Sequence, residues 1–152
     1  MLPDTNRRVA QYTDESVNRQ IREQTQRNIA RYTHASAAEI GRRLDELDQE
    51  WDIERTLEAN AATLALGGLV LGATVNRKWF IFPGVIAAFL LQHSLQGWCP
   101  PIPILRRLGI RTSAEINEER YALKALRGDF DRVTKNSVTP AGAQQALAAA
   151  QQ

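Results

Sequence analysis

The sequence predicts an all-α protein: a two-span transmembrane helical hairpin with amphipathic cytoplasmic helices before and after it. Three observations lead there. Residues 59–76 and 79–105 contain no Asp, Glu, Lys or Arg. Each stretch supplies about 20 apolar-rich residues, the length that crosses a ~30 Å hydrocarbon core at 1.5 Å per residue. Only Asn76, Arg77 and Lys78 separate them, so the two helices must be antiparallel neighbours. A buried pair of helices in a soluble bundle is the rival. A soluble core helix keeps a polar stripe, whereas nothing polar interrupts the runs between Thr63 and Thr74 or between Trp79 and Leu91.

Residues 1–35 are polar and hold a short repeat. Arg7, Val9, Ala10, Tyr12, Thr13 and Ser16 recur as Arg27, Ile29, Ala30, Tyr32, Thr33 and Ser36, offset by 20. Two readings stand. Arg7, Val9, Tyr12, Arg27, Ile29 and Tyr32 are candidates for docking a cytoplasmic partner twice over, which would gain from effective concentration. Alternatively, the likeness is that of two helix starts, because capping selects Ser and Thr. Asp14–Tyr32 is expected to be helical with Thr13 as its cap. The polar start holds no apolar core of a secretory signal.

Residues 36–111 form the central part. Ser36 and Glu39 make a capping box, and Ile40, Leu44, Leu47 and Trp51 follow at helical spacing. With no breaker after them, one helix is expected from about Ala37 into the first span, 57–76. The second span, 79–98, is bracketed by Trp79 and Trp98, and Trp favours the membrane interface. Pro83 either occupies the first helical turn or kinks the span. Small residues allow helices to approach closely in lipid. Ala61, Ala65, Gly68 and Gly72 share one face of the first span, and Gly84 and Ala88 repeat the spacing in the second. They suit a homo-oligomer contact or packing between the two arms. Gln92, His93, Ser94 and Gln96 cluster at the depth of Asn60, with no acidic group in either span beside His93. Pro100, Pro101 and Pro103 are expected to impose an extended exit.

Residues 112–131 begin with a second box, Thr112 to Glu115, and carry Ile116, Leu123, Leu126 and Phe130 to a stop at Gly128. Residues 132–152, rich in Ala, Gln, Ser and Thr, are expected to be disordered. Basic residues flank the outer span ends seven to two over the connection, which places both termini in the cytoplasm.

Gly97-x-Cys99-Pro100 followed by Gly109-x-x-Thr112 resembles the signature of the YgaP-like inner-membrane domain family, over about Trp51 to Phe130. The resemblance implies a bacterial inner-membrane location and a two-helix hairpin that supports dimerisation. Some relatives fuse this hairpin to a rhodanese sulfurtransferase domain. This chain has no α/β domain, so that activity does not carry over.

The function expected is non-enzymatic: an oligomeric membrane anchor or scaffold for a cytoplasmic partner. The alternative is a membrane thiol protein that handles sulfane sulfur or redox through Cys99. A thiolate there would sit at a helix C-terminus, where the dipole opposes it. A small channel is disfavoured by the lack of ionisable groups deep in either span. No cofactor or metal site is expected: His34 and His93 stand without a second ligand at metal spacing. A net charge of +2 does not argue for nucleic acid.

Overall fold

The computed structural model describes residues 7–131 and 140–151, and among these every element is helical. In chain order they are α1 (Arg8–Gln11), α2 (Glu15–Arg31), α3 (Ala37–Gln49) and α4 (Ile53–Thr74). A 3-10 turn (Arg77–Phe80) leads to α5 (Ile81–Gln96), α6 (Ile102–Arg107), α7 (Ser113–Arg127) and α8 (Pro140–Gln151). Two helices are long and apolar enough to cross a membrane. The chain divides into two compact units, residues 1–22 with 51–114, and residues 23–50 with 115–152.

In the first unit α4 and α5 run side by side in opposite directions. The Asn76 side chain accepts a hydrogen bond from the Lys78 N–H at 2.9 Å and opens the connecting turn. Pro83 falls in the first turn of α5, where its missing N–H leaves no carbonyl unpaired. Gly68 and Gly72 set the approach of the two helices. A Cβ on Gly68 would come within 2.8 Å of Pro83 Cδ, and one on Gly72 within 2.7 Å of Phe80 Cδ1. Below this contact, Val9, Ile53, Leu57, Cys99 and Ile102 form a small core, with Leu90, Leu105 and Ile110 against it.

The structure departs from several sequence expectations. The single helix from Ala37 into the first span is interrupted. The α3 helix stops at Gln49, Asp52 accepts from the Arg55 N–H at 2.8 Å as a new cap, and the Ile53 N–H donates to Arg111 O at 2.9 Å. A capping carboxylate and a tertiary acceptor together make two helix ends more favourable than one through-going helix. Trp51 therefore lies outside α3, half exposed, with the Arg55 guanidinium 4.4 Å above its ring. Thr13 is not the cap of α2. Asp14 takes that place, accepting from the Ser16 N–H at 2.8 Å, while the Thr13 hydroxyl donates to Val9 O. The proline-rich exit is not extended. Gly97, at φ 78°, ends α5 in the left-handed region, and the prolines then begin α6, whose first turn tolerates their fixed φ and absent N–H.

In the second unit α3 packs on α7 through Ile40, Leu44, Leu47, Ile116 and Leu123, with Tyr32 and Ala35 against them. The capping box is formed. The Ser36 hydroxyl accepts from the Glu39 N–H, and the Ser36 N–H donates to Glu39 Oε2 at 2.8 Å. Gly128 closes α7 at φ 86°. Leu126, expected on the apolar side, is exposed. Part of the tail expected to lack structure is α8, which starts on a proline and is rich in alanine, the strongest helix former. The Lys124 ammonium donates to Ala150 O near its C-terminal end at 2.7 Å. Residues 132–139 of that tail lie outside the described residues.

Candidate functional site at the base of the paired helices

The start of α4 and the end of α5 bring ionisable groups together. His93 Nε2 lies 2.6 Å from Glu54 Oε2. The other carboxylate oxygen, Oε1, accepts from Arg8 Nη2 at 3.0 Å, and Arg8 Nη1 donates to Ser94 O at 3.3 Å. One carboxylate thus bridges α1, α4 and α5. His93 is 4% exposed, and its Nδ1 and Arg8 Nε are buried without a hydrogen-bond partner among the described residues. His93, read from the sequence as lacking an acidic neighbour, therefore has one. The helix begins at Ile53, four residues before the predicted span, and carries Glu54 under the turn where His93 arrives.

The same region anchors the N-terminal segment. Arg106, fully buried, donates from Nη2 to Asn18 Oδ1 at 3.1 Å, from Nη1 to Ile110 O at 3.1 Å and from Nε to the Thr13 hydroxyl at 3.3 Å. Asn18 in turn donates to Ala10 O at 2.9 Å. Gly97 meets this segment with no space to spare, since a Cβ there would lie 2.6 Å from Arg8 Cβ and 2.7 Å from the Arg8 carbonyl carbon.

These contacts redistribute the candidate residues. Val9 is 2% exposed within the first unit's core, so it is withdrawn from any docking surface. Its counterpart in the repeat, Ile29, is half-buried, and Tyr32 packs on the second unit's core. Arg7, Tyr12 and Arg27 remain exposed. Among the small residues, Ala61, Gly68 and Gly72 are buried, and Ala65 is half-buried. Gly84 and Ala88 lie on the exposed side of α5, and a Cβ on Gly84 would meet nothing within 4 Å. Asn60 and Ser94 turn back on their own helices, donating to Thr56 O and Leu90 O.

Cys99 is buried, and that burial pushes its thiol pKa up from the ordinary cysteine value. Its environment favours the neutral thiol over the nucleophilic thiolate. Among the described residues, no three His, Cys, Asp or Glu side chains stand close enough to hold a metal ion.

The polar residues that went unrecognised in the sequence include Glu54, Arg106 and Glu119. Glu119 is fully buried in the second unit. Arg43 holds it through Nη2 at 2.8 Å and Nε at 2.9 Å, and Asn28 donates to its other oxygen at 3.2 Å. A usable signal existed. Glu54 is three residues before Leu57, Arg106 is four after Ile102, and Glu119 sits between Ile116 and Leu123. A charge in register with an apolar stripe is a charge directed into a core.

The fold and site define a class: an all-helical protein carrying two paired helices long and apolar enough to cross a membrane, with an ion-pair cluster at their base. Comparison of the chain with protein-family models, with curated proteins and with solved structures finds no match.

Proposed function

We propose that the protein is a small integral membrane protein of the YgaP-like type: a two-span hairpin, both termini cytoplasmic, that oligomerises and anchors or scaffolds a cytoplasmic partner. One observation carries the membrane reading. Of the most apolar 18 residues in each candidate span, 22% and 6% are buried inside the protein. Leu66 and Ile81 are 63% and 70% exposed, and Leu64, Val70 and Leu91 are similarly bare. Soluble monomers rarely expose apolar patches beyond a few hundred Å². Lipid removes that penalty.

The oligomer reading draws on Gly84 and Ala88. Gly68 and Gly72 are occupied by the chain's own Pro83 and Phe80, whereas Gly84 and Ala88 face outward at the spacing of close helix contacts. The scaffold reading draws on the exposed Arg7, Tyr12 and Arg27. The thiol alternative is not favoured by the buried, neutral Cys99.

The test is fractionation of cells producing the full chain. The protein should stay with membranes through an alkaline carbonate wash and require detergent for release. Recovery as a monodisperse soluble species in buffer alone would refute the reading. Affinity capture from mild detergent, with mass spectrometry of what co-purifies, then identifies the cytoplasmic partner.

A further inference from the structure

We infer that α6 is an in-plane membrane anchor, in which Ile104 and Leu108 bind the phospholipid surface at the boundary between headgroups and acyl chains. The inference rests on the membrane reading above.

The short α6 helix has two unlike faces. Successive helical residues are about 100° apart, so positions two apart point in nearly opposite directions. Ile102 and Arg106 are both fully buried. Ile102 packs with Ile53, Leu57 and Cys99, and Arg106 is held by Thr13, Asn18 and the Ile110 carbonyl. Ile104 and Leu108 take the other side. The Leu108 N–H donates to Ile104 O at 3.0 Å, which stacks the two side chains one turn apart. They are 63% and 73% exposed, and Leu108 is the barest large apolar side chain among the described residues. An arginine points into the protein while two aliphatic side chains point out, the wrong way round for a helix surrounded by water.

The position of α6 selects lipid as the occupant of this face. Pro101 and Leu105 lie along the groove between α4 and α5, with Leu57 and Asn60 on one side and Phe89 and Leu90 on the other. Leu90 is six residues from the end of α5 at Gln96, about 9 Å at 1.5 Å per residue. So α6 folds back along the apolar helices and does not extend beyond them. It sits where α4 and α5 pass from uncharged residues to the ionisable Glu54, Glu58 and His93, the end that the membrane reading places at the headgroups. An interfacial helix buries its apolar face about 5–10 Å into that boundary, which is the depth of α6. Arg107, exposed beside this face, has a stem long enough to reach a phosphate from there. A protein seated on α6 alone would bury far less than the ~800 Å² per partner of a stable interface, whereas a lipid surface sets no such minimum.

The test is spin labelling of the full chain in vesicles of phosphatidylethanolamine and phosphatidylglycerol. Nitroxides are placed by Ile104→Cys, Leu108→Cys, Val70→Cys or Gln20→Cys, each in a Cys99→Ala chain, all four at exposed positions. Collisions with oxygen report lipid, and collisions with a water-soluble nickel chelate report water. The oxygen-to-nickel ratio at Ile104 and Leu108 should be several-fold above that at Gln20 and below that at Val70, the signature of a shallow site. A ratio equal to that at Gln20, with Val70 still lipid-like, would overturn the anchor and leave the membrane reading standing. A ratio equal to that at Val70 would also overturn it, since α6 would then lie deep in the hydrocarbon. So would few collisions with either reagent, which would show the face covered by protein. A water-like ratio at Val70 would overturn both readings.

Discussion

His93 Nε2 and Glu54 Oε2 stand 2.6 Å apart, tying the last turn of one apolar helix to the first turn of the other. Arg8 shares the same carboxylate at 3.0 Å, so the pair also fixes the N-terminal segment. The two helices are clamped at both ends, by glycine packing near the connecting turn and by this cluster at the base.

Coupling between His93 and Glu54 is directly measurable. His93→Ala and Glu54→Ala should each destabilise the protein in detergent. The double variant should lose less than the sum, by ~0.5–3 kcal/mol, as residues in one hydrogen-bonded network do. Thermal unfolding of the four proteins in one detergent checks this, and strict additivity would show the contact to be energetically idle.

Glycine substitutions should separate the two helix contacts. Gly72→Leu forces a side chain into the Phe80 ring and should disrupt the pairing of α4 with α5. Gly84→Leu projects into open space and should leave the protomer's unfolding temperature unchanged while reducing self-association. Light scattering of detergent-purified protein reads the second effect, and unfolding reads the first.

Gly97→Ala should destabilise by more than about 1 kcal/mol. The left-handed backbone alone costs an alanine ~1–2 kcal/mol, and its Cβ would collide with Arg8. Protease sensitivity of the N-terminal segment should rise in parallel, because that collision pushes the segment away.

Glu119→Ala should cost about 3–5 kcal/mol in chemical denaturation, the usual loss when one member of a buried ion pair is removed. It leaves the Arg43 guanidinium with Glu46 alone among its carboxylate partners. Glu119→Gln, which can still accept from Asn28, should cost less. Indistinguishable unfolding of Glu119→Ala and the wild type would contradict the burial of this pair.

Two pH effects have fixed signs. The Ser36 hydroxyl and backbone N–H hold the Glu39 carboxyl below the usual carboxylate range. Its contribution is complete above the unfolded value, near 4.3, and is lost as pH falls through the lower folded value. Glu39→Gln should flatten that acid limb while keeping the helix start. Cys99 runs the opposite way: with its thiol pKa raised by burial, the stability it lends is whole below the unfolded value, near 8.5, and is lost as pH rises through the folded one. Native protein at pH 8 should react with iodoacetamide far more slowly than the same chain in denaturant. Equal rates would return Cys99 to the list of reactive groups.

The local elements were legible in the residues themselves. Ser36 and Glu39 carry their capping box in their own chemistry, and Gly128 stops a helix because only glycine enters the left-handed region at little cost. The two uncharged stretches announce paired apolar helices because their length and short connection allow little else. What the linear pattern could not show is where charges from distant segments meet. Asp52 restarts a helix, instead of letting α3 run on, because Arg111 O waits for the Ile53 N–H. Glu54 finds His93 39 positions away, Arg106 finds Asn18 88 positions away, and Glu119 finds Arg43 76 positions away. Periodicity and capping are properties of neighbouring residues and so are written locally. The pairing of a buried charge depends on which helix faces which, and only the packed tertiary structure decides that.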